Sequence, residues 1–332
     1  MPNARLISYR AAILEALFEE MDRDKSVVLI GEDVGAAGGV FKQTDGLFSR
    51  FGAARVIDTP ISEPGAFGIA VGAAMTGLRP IFEVMFGDFL TLVMDQLVNQ
   101  AAKVHYMSAG TYKVPLVLRT TMGLGSNLGP QHSQNLYAWV AHVPGLKVLI
   151  PSSPADAKGL YKSAIRDDNP VLIFEDRMLY EQKGEVSGED YVLPLGSASI
   201  RRVGSDVTVV ALGRMVVVAL SAAEELSKQG IEVEVIDPRT LVPLDLDTII
   251  QSVCRTGRAV VIDGGTRQFG ASAELTAAIA QGAFDWLDAP VIRLAAEAVP
   301  IPFSRTLEPL VQPDAQGIVS AILSLMARET PI

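Results

Sequence analysis

Cysteine is nearly absent from this chain of 332 residues, in which Cys254 stands alone. A single thiol cannot form an intramolecular disulfide, and it cannot supply a cysteine-rich zinc site. A disulfide-stapled scaffold is therefore excluded. This cysteine usage predicts a reducing compartment, for which the cytoplasm is the simplest expectation.

The chain also lacks the features that suit a membrane or a nucleic acid. Its longest stretch without Asp, Glu, Lys, Arg or His, residues 64–78, is shorter than the ~20 residues that a membrane-spanning helix needs. Lysine and arginine number 28 against 38 aspartates and glutamates, and the resulting net charge of −10 repels phosphate backbones. We expect neither a membrane nor a nucleic acid as a partner, whereas a basic protein would suit this charge.

Apolar runs of strand length alternate with helical patterns along the whole chain, which is typical of α/β folds with parallel sheets. At roughly 100–200 residues per domain, the length predicts two domains. We predict two doubly wound α/β domains, residues 1–185 and 206–332, joined by a polar linker at 186–205. Within the first domain, residues 89–107 predict one long amphipathic helix.

A glycine-rich helical pattern occupies residues 63–77, EPGAFGIAVGAAMTG. Glycine inside a helix costs about 0.5–1 kcal/mol relative to alanine, so close packing should offset the cost. The helix either packs tightly in the core of the chain itself or lies against another subunit or a cofactor.

Phosphate-binding loops are missing. The sequence contains neither the dinucleotide pattern G-x-G-x-x-G between a strand and a helix nor the P-loop pattern G-x-x-x-x-G-K-[ST]. A GDG…N motif for a metal and a diphosphate is also absent. If this protein uses a phosphorylated cofactor, another component must hold the phosphates.

Two titratable residues are candidates for chemistry. Glu63 follows a predicted strand and begins the glycine-rich helix, so it is either an ordinary first-turn charge or a carboxyl that exchanges a proton with a ligand nitrogen. His132 lies in the loop GLGSNLGPQHSQN, where it is either a surface residue or a catalytic side chain facing a cleft. His105 and His142 are expected to be structural.

Motifs for a divalent metal or a serine nucleophile do not occur: the sequence has no H-E-x-x-H, no C-x-x-C, no EF-hand loop and no G-x-S-x-G. A monovalent-ion site made of backbone carbonyls would leave no such signature, so it stays open.

Taken together, many segments resemble the β subunit of thiamine-diphosphate-dependent 2-oxo acid dehydrogenases, especially the pyruvate and acetoin branches. The resemblance covers nearly the whole chain. It is carried by ISYRAAILEAL, VVLIGEDVG, VIDTPISEPGAFGIAVGAAMTGLRPIFEVMF, MDQLVNQAAK, GPQHSQ, PGLKVLIPSSPADAKGLYKSAIRDDNPV, ALGRM, EVIDPRTLVPLD and VPIPFS.

This resemblance implies a transketolase-like fold divided between two chains that assemble as an α2β2 heterotetramer. The α subunit would carry Mg²⁺ and the diphosphate of thiamine diphosphate, which accounts for the missing phosphate loop. The β chain would supply a pyrimidine-binding domain and a transketolase C-terminal-like domain. Together they would decarboxylate pyruvate or a related 2-oxo acid, or cleave acetoin, and transfer the acyl group to the lipoyl arm of a dihydrolipoyl acyltransferase core.

The resemblance also assigns roles to individual residues. Glu63 matches the glutamate that pairs with ring nitrogen N1′ of the aminopyrimidine, and His132 matches a histidine near the substrate and the lipoyl arm. The positions matching the surroundings of the cofactor are Ile61, Met85, Phe89 and Glu32. The positions matching a structural potassium site are Leu116, Ala164, Ile165, Asp167 and Asn169.

Two rival interpretations stay open. The chain could belong to a split transketolase or another two-chain thiamine-diphosphate enzyme, or it could be a structural paralogue that only pairs with an α chain. The presence of both Glu63 and His132 disfavours the structural paralogue. An acidic surface including Asp285 and Asp288 is expected to meet the basic subunit-binding domain of the acyltransferase.

Overall fold

The computed structural model describes residues 4–327, which divide into two units. The first unit comprises residues up to 122 together with 139–195, and the second comprises 123–138 together with the chain from 196 onward. The chain thus enters the second unit for one loop, returns to the first, and leaves it finally after Leu195.

The first unit contains eight strands and the helices between them. Its strands are β1 (Arg5–Ser8), β2 (Val27–Gly31), β3 (Val56–Asp58), β4 (Arg79–Phe86), β5 (Val117–Met122), β6 (Lys147–Leu149), β7 (Val171–Asp176) and β8 (Lys183–Val186). Its helices are α1 (Tyr9–Arg23), α2 (Leu47–Phe51), α3 (Glu63–Met75), α4 (Leu90–Met94), α5 (Val104–Met107), α6 (Tyr137–Ala141), where the chain returns from the second unit, and α7 (Pro154–Arg166).

The central sheet of this unit is parallel, with the strand order β6-β7-β5-β4-β2-β3. Strands β2, β5 and β7 are buried along their whole length, as is expected when helices cover both faces of a parallel sheet. Local signals set the helix boundaries: Ser153 caps α7 by accepting a hydrogen bond from the amide of Asp156 at 3.2 Å, and Pro154 is its first residue.

The second unit has the same kind of architecture. Its strands are β9 (Ser199–Arg202), β10 (Val207–Ala211), β11 (Val233–Asp237), β12 (Thr240–Val242), β13 (Ala259–Thr266) and β14 (Ile292–Ala296), and its helices are α8 (Met215–Ser227), α9 (Leu246–Thr256), α10 (Ala271–Gly282) and α11 (Ala315–Met326). Its sheet has the order β14-β13-β10-β11-β9, in which the pairs among β14, β13, β10 and β11 are parallel and β9 runs antiparallel. The predicted doubly wound α/β class is confirmed for both units.

Two expectations differ from the structure. The helix predicted at 89–107 is broken into α4, a π-helical stretch at Asp95–Ala101 and α5. The polar segment 186–205 was expected to be only a linker, yet it contains β9, an edge strand whose Ile200 alternates with polar neighbours, and the second unit also takes in residues 123–138.

Among the helices of the described part of the chain, none combines the length and the apolar character that crossing a membrane requires.

Candidate active site

The carboxyl ends of β2, β3 and β4 carry the residues that the resemblance places around the cofactor. These three strands are parallel neighbours, so their carboxyl ends share one edge of the sheet. Glu32 directly follows β2, Ile61 lies in the loop after β3, and Met85 lies near the end of β4. Phe89 ends the short 3₁₀ turn that follows β4. These four positions therefore lie along one edge of the sheet.

Glu63 is the first residue of α3, and it lies after β3 on the same edge. The positive end of the helix dipole favours a carboxylate at this position. The side chain is half-buried, and so is that of Glu32. A carboxyl in this setting has access to a ligand while it is partly removed from water.

Glu32 and Glu63 interact electrostatically. Burial raises the pKa of Glu32 above its ordinary value, and the neighbouring charges of Glu63 and Asp33 raise it further. Two carboxyls that repel each other favour a state in which one of them holds a proton. In this pair Glu32 is the group whose protonated form is favoured.

A buried ion network lies behind this edge, and the sequence reasoning missed it. The guanidinium of Arg119 on β5 donates to Glu83 on β4 at 2.6 Å and to both carboxylate oxygens of Glu175 on β7 at 2.7 and 2.8 Å. Tyr161 and Tyr180 also donate to Glu175. The sequence did contain a sign of this network, because Glu83, Arg119 and Glu175 are charged residues within strands that are otherwise expected to be buried.

Burial raises the pKa of Glu83, and the charge of Glu32 adds to that shift. Glu32 therefore interacts electrostatically both with Glu63 and with Glu83 of this network.

The residues present at the edge fit an aminopyrimidine ring, the part of the cofactor that the resemblance assigns to this chain. Such a ring has an accepting nitrogen on its rim and apolar faces. Glu63 supplies a carboxyl for the nitrogen, while Ile61, which is 84% exposed, offers an apolar surface that a ring would cover. Phe89 packs edge-on against Phe86 with ring centroids 5.7 Å apart, which fixes its orientation.

His132 belongs to the second unit, in the segment of residues 123–136 that we call the histidine loop. Gly123, Gly125, Asn127 and Gly129 all have positive φ, which explains why glycine and asparagine alternate with other residues there. The expected loop is confirmed, and His132 is half-buried within it. A cleft of about 390 Å³ adjoins the loop and is lined in part by Pro130, Gln134 and Asn135.

The five residues implied for potassium lie together around the end of α7. The Leu116 carbonyl accepts from the amide of Val171 at 2.9 Å, and the Ala164 carbonyl accepts from that of Asp167 at 3.2 Å. Arg79 donates to the carbonyls of Ile165 and Asp167 at 3.0 and 2.9 Å.

The Asp167 carboxylate accepts two hydrogen bonds of 2.9 Å from Asn169 and pairs with Lys147 at 2.5 Å. Carbonyl and carboxylate oxygens suit K⁺, and each carbonyl oxygen retains a second lone pair, so the donor set fits a monovalent cation. Lys147 already neutralises part of the negative charge of the Asp167 carboxylate.

The remaining histidines, His105 and His142, lie elsewhere in the first unit. Nδ1 of His105 on α5 is 2.8 Å from the carbonyl of Tyr112, and His142 is an exposed residue shortly after α6. Neither lies at the carboxyl edge of the first sheet.

Comparison with known proteins extends these observations. The transketolase pyrimidine binding domain matches residues 5–183, and the transketolase C-terminal domain matches residues 196–318. The chain is 48% identical to the β subunit of acetoin:2,6-dichlorophenolindophenol oxidoreductase from Bacillus subtilis (strain 168), over 97% of this chain and 98% of the relative. It is 47% identical to the mitochondrial pyruvate dehydrogenase E1 component subunit beta of Bos taurus, over 97% of this chain and 91% of the relative.

Among solved structures, a split-gene transketolase chain, described as an inactive β4 tetramer, matches with a TM-score of 0.78 and 24% identity. The match covers 96% of this chain and 98% of that chain, and at this identity it shows the fold alone.

Proposed function

Because this chain belongs to the transketolase-like family of pyruvate and acetoin dehydrogenase β subunits, we propose that it is the β subunit of an α2β2 dehydrogenase that decarboxylates pyruvate or a related 2-oxo acid, or cleaves acetoin. The product acyl group passes to the lipoyl disulfide of a dihydrolipoyl acyltransferase core. The carboxyls of Glu63 and Glu32, which follow neighbouring parallel strands at one edge of the sheet, are the observation that carries this proposal.

Thiamine diphosphate, when bound, supplies the stabilised carbanion that this chemistry requires. The task of Glu63 is to hold or release a proton at its carboxylate oxygen, toward nitrogen N1′ of the aminopyrimidine ring. Glu32 lies on the same edge of the sheet and interacts electrostatically with Glu63. Ile61, Met85 and Phe89 bind the faces of the ring and exclude water from the carboxyl.

The remaining parts of the cofactor site belong to the partner. The α subunit holds Mg²⁺ and the diphosphate, so this chain is active only in the assembled enzyme. A structural K⁺ is proposed at the oxygens of Leu116, Ala164, Ile165, Asp167 and Asn169. A higher melting temperature in KCl than in choline chloride of equal ionic strength would support that site.

His132 is proposed to act on the substrate side. A histidine there stabilises the negative charge that develops when a carbonyl carbon is attacked. The cytoplasmic location expected from the cysteine usage stays a prediction, since the Bos taurus relative is mitochondrial.

The proposal is tested by co-expressing the chain with an α-type partner that contains a GDG…N motif. Turnover of pyruvate, branched-chain 2-oxo acids and acetoin is then followed by reduction of 2,6-dichlorophenolindophenol. Glu63→Gln keeps the shape of the side chain but removes its proton-accepting charge, and we expect at least a 100-fold loss of turnover, the lower range for general acid–base catalysis, ~10²–10⁴. Glu189→Gln, at an exposed position of the first unit, is the matched control and should turn over normally.

Two results would contradict the proposal. Undiminished turnover by Glu63→Gln would remove Glu63 from the mechanism. Activity with ketose and aldose phosphates in place of 2-oxo acids or acetoin would favour the split transketolase instead.

A further inference from the structure

The histidine loop is anchored by a carboxylate far away in the sequence. Glu308 begins the 3₁₀ turn Glu308–Leu310 and is only 2% exposed. Its Oε1 accepts from the amide of Gly125 at 3.0 Å, and its Oε2 accepts from the amide and the side-chain Nδ2 of Asn127 at 3.1 and 2.5 Å. A buried carboxylate that accepts several hydrogen bonds holds its donors more firmly than a neutral acceptor would.

The same C-terminal segment holds the loop by apolar contacts. Leu124 packs in a small buried cluster with Ala296, Ile301 and Val311. Phe303 covers Gly129 so closely that a methyl group at that glycine would lie 2.3 Å from the ring. The first half of the histidine loop therefore packs against residues 296–311.

The second half of the loop is held by the end of β13. Asn135 donates to the carbonyl of Gly264 at 2.6 Å, and the hydroxyl of Tyr137 donates to the buried carboxylate of Asp263. His132 lies in the short span between these two sets of anchors. Its position is thus determined by residues of the second unit that are remote in the sequence.

We propose that Glu308 is a positioning residue for His132: it fixes the left-handed turn at Gly125–Asn127 and so sets the direction in which the loop presents the imidazole. The inference rests on the proposed function, because it gives Glu308 an effect on turnover through His132. Glu308 is not among the residues to which the resemblance assigns a role. It acts on the substrate side of the site indirectly, through His132.

The first test uses the assembled αβ enzyme with pyruvate and 2,6-dichlorophenolindophenol. Glu308→Gln retains one accepting oxygen and loses the charge, and we expect kcat to fall about tenfold with KM nearly unchanged, since a small misplacement of a catalytic group costs one to two orders of magnitude. Glu225→Gln, an exposed position on α8, is the matched control and should show full turnover.

A second variant tests the same contact from the other side. Asn127→Asp can keep the positive φ of that residue but places a second carboxylate against Glu308, so a similar loss is expected. The double variant Glu308→Gln with Asn127→Asp restores a donor–acceptor pair, because the amide introduced at position 308 can donate to the carboxylate introduced at position 127. We expect it to recover turnover to within about threefold of the wild type, since most of the hydrogen bonding returns. No recovery, together with a lower melting temperature in all three variants, would overturn the inference.

Coupling to the histidine is tested by a double-mutant cycle. If Glu308 acts through His132, Glu308→Gln should cause little further loss in a His132→Ala background, whereas fully additive losses would overturn the inference. Amide hydrogen exchange of the same complexes measures the protection of the Gly125 and Asn127 backbone amides independently of turnover. Glu308→Gln should accelerate the exchange of these two amides. Full turnover by His132→Ala would overturn the proposed role of His132 and the positioning role with it. Loss in His132→Ala with normal turnover in Glu308→Gln would overturn the positioning role alone.

Discussion

At the scale of single residues, the greatest stability effect is expected at Arg119. Removing this guanidinium would leave the carboxyls of Glu83 and Glu175 buried without their cationic partner. Breaking a buried ion pair from one side typically costs about 3–5 kcal/mol. We therefore expect Arg119→Met to lower the free energy of unfolding by that amount, as measured by urea denaturation.

Arg50→Met is the matched control for this measurement. Arg50 pairs with Asp22 at 3.1 Å on the surface, where both side chains are largely exposed. Surface pairs contribute at most about 1 kcal/mol. Equal stability of Arg119→Met and Arg50→Met would contradict the prediction, because it would mean that Glu83 and Glu175 are not held as buried charges by Arg119.

Glu32 should give stability a recognisable pH dependence. Burial and the charge of Glu63 raise its pKa in the folded protein, so the unfolded chain loses this proton first as the pH rises above 4.5. The contribution of Glu32 to stability is therefore present below that pH and lost as the pH rises through the folded pKa. Urea denaturation between pH 4 and 7 should show Glu32→Gln gaining stability relative to the wild type as the pH increases.

Asp168 gives the opposite sign and serves as the comparison. Hydrogen bonds from Lys113 and Arg79 lower its pKa below the ordinary value of 3.8, so its contribution is present at neutral pH and lost on acidification. Asp168→Asn should therefore be less stable than the wild type at neutral pH and approach it in acid. The same trend in both variants would contradict these assignments.

The sequence predicted Glu63 and His132 because each lies in a short diagnostic string. It did not predict Glu308, whose partners Gly125 and Asn127 are more than 180 residues away. Short sequence motifs indicate which side chains are candidates for chemistry. The contacts that orient those groups depend on chain segments that meet only after folding.

At the scale of elements, α3 carries an exposed glycine at Gly72. Within the described residues, no atom other than those of its chain neighbours and of the nearby α3 backbone lies within 4 Å of a methyl group placed there. Replacing it by alanine should stabilise the isolated chain by about 0.5–1 kcal/mol through helix propensity. If this face packs against the α subunit, Gly72→Ala should also weaken assembly. Thermal unfolding of the chain and sedimentation of the αβ mixture would show these opposite effects.

Ser221→Ala on α8 is the control for helix propensity, since this exposed position lies in the second unit. It should leave assembly unchanged. Equal assembly by Gly72→Ala and Ser221→Ala would mean that the glycine face has no close-packed partner.

Helices and strands were predictable from the sequence where the spacing of apolar residues was clear. Helices α1 and α7 each begin at a serine cap followed by an amphipathic pattern, and both signals can be read from the sequence. The break at Asp95–Ala101 was not expected, because the apolar spacing of that stretch also suits an unbroken α-helix. Strand β9 was not expected either, since its alternation is short and depends on pairing with β11.

At the scale of the whole molecule, the proposed function gives this chain one part of an active site that it shares with an α subunit. The two-domain α/β fold followed from the sequence because buried parallel strands read as continuous apolar runs. The net charge of −10 did not determine the fold, but it bears on partners. Within the acidic surface proposed for acyltransferase docking, Asp288 already pairs with Arg258 at 3.3 Å, whereas Asp285 lies exposed between Phe284 and Trp286, which are 75% and 61% exposed.

Asp285 is therefore the sharper test of that docking surface. Asp285→Lys should weaken binding of the basic subunit-binding domain about five- to tenfold at low salt, and less at ~0.3 M salt, because screening shortens the reach of surface charges. Glu225→Lys, exposed on α8, changes the net charge by the same amount at a different place. Sedimentation or surface plasmon resonance of both variants separates the two causes: equal weakening would assign the effect to overall charge, and a loss specific to Asp285→Lys would assign it to this surface.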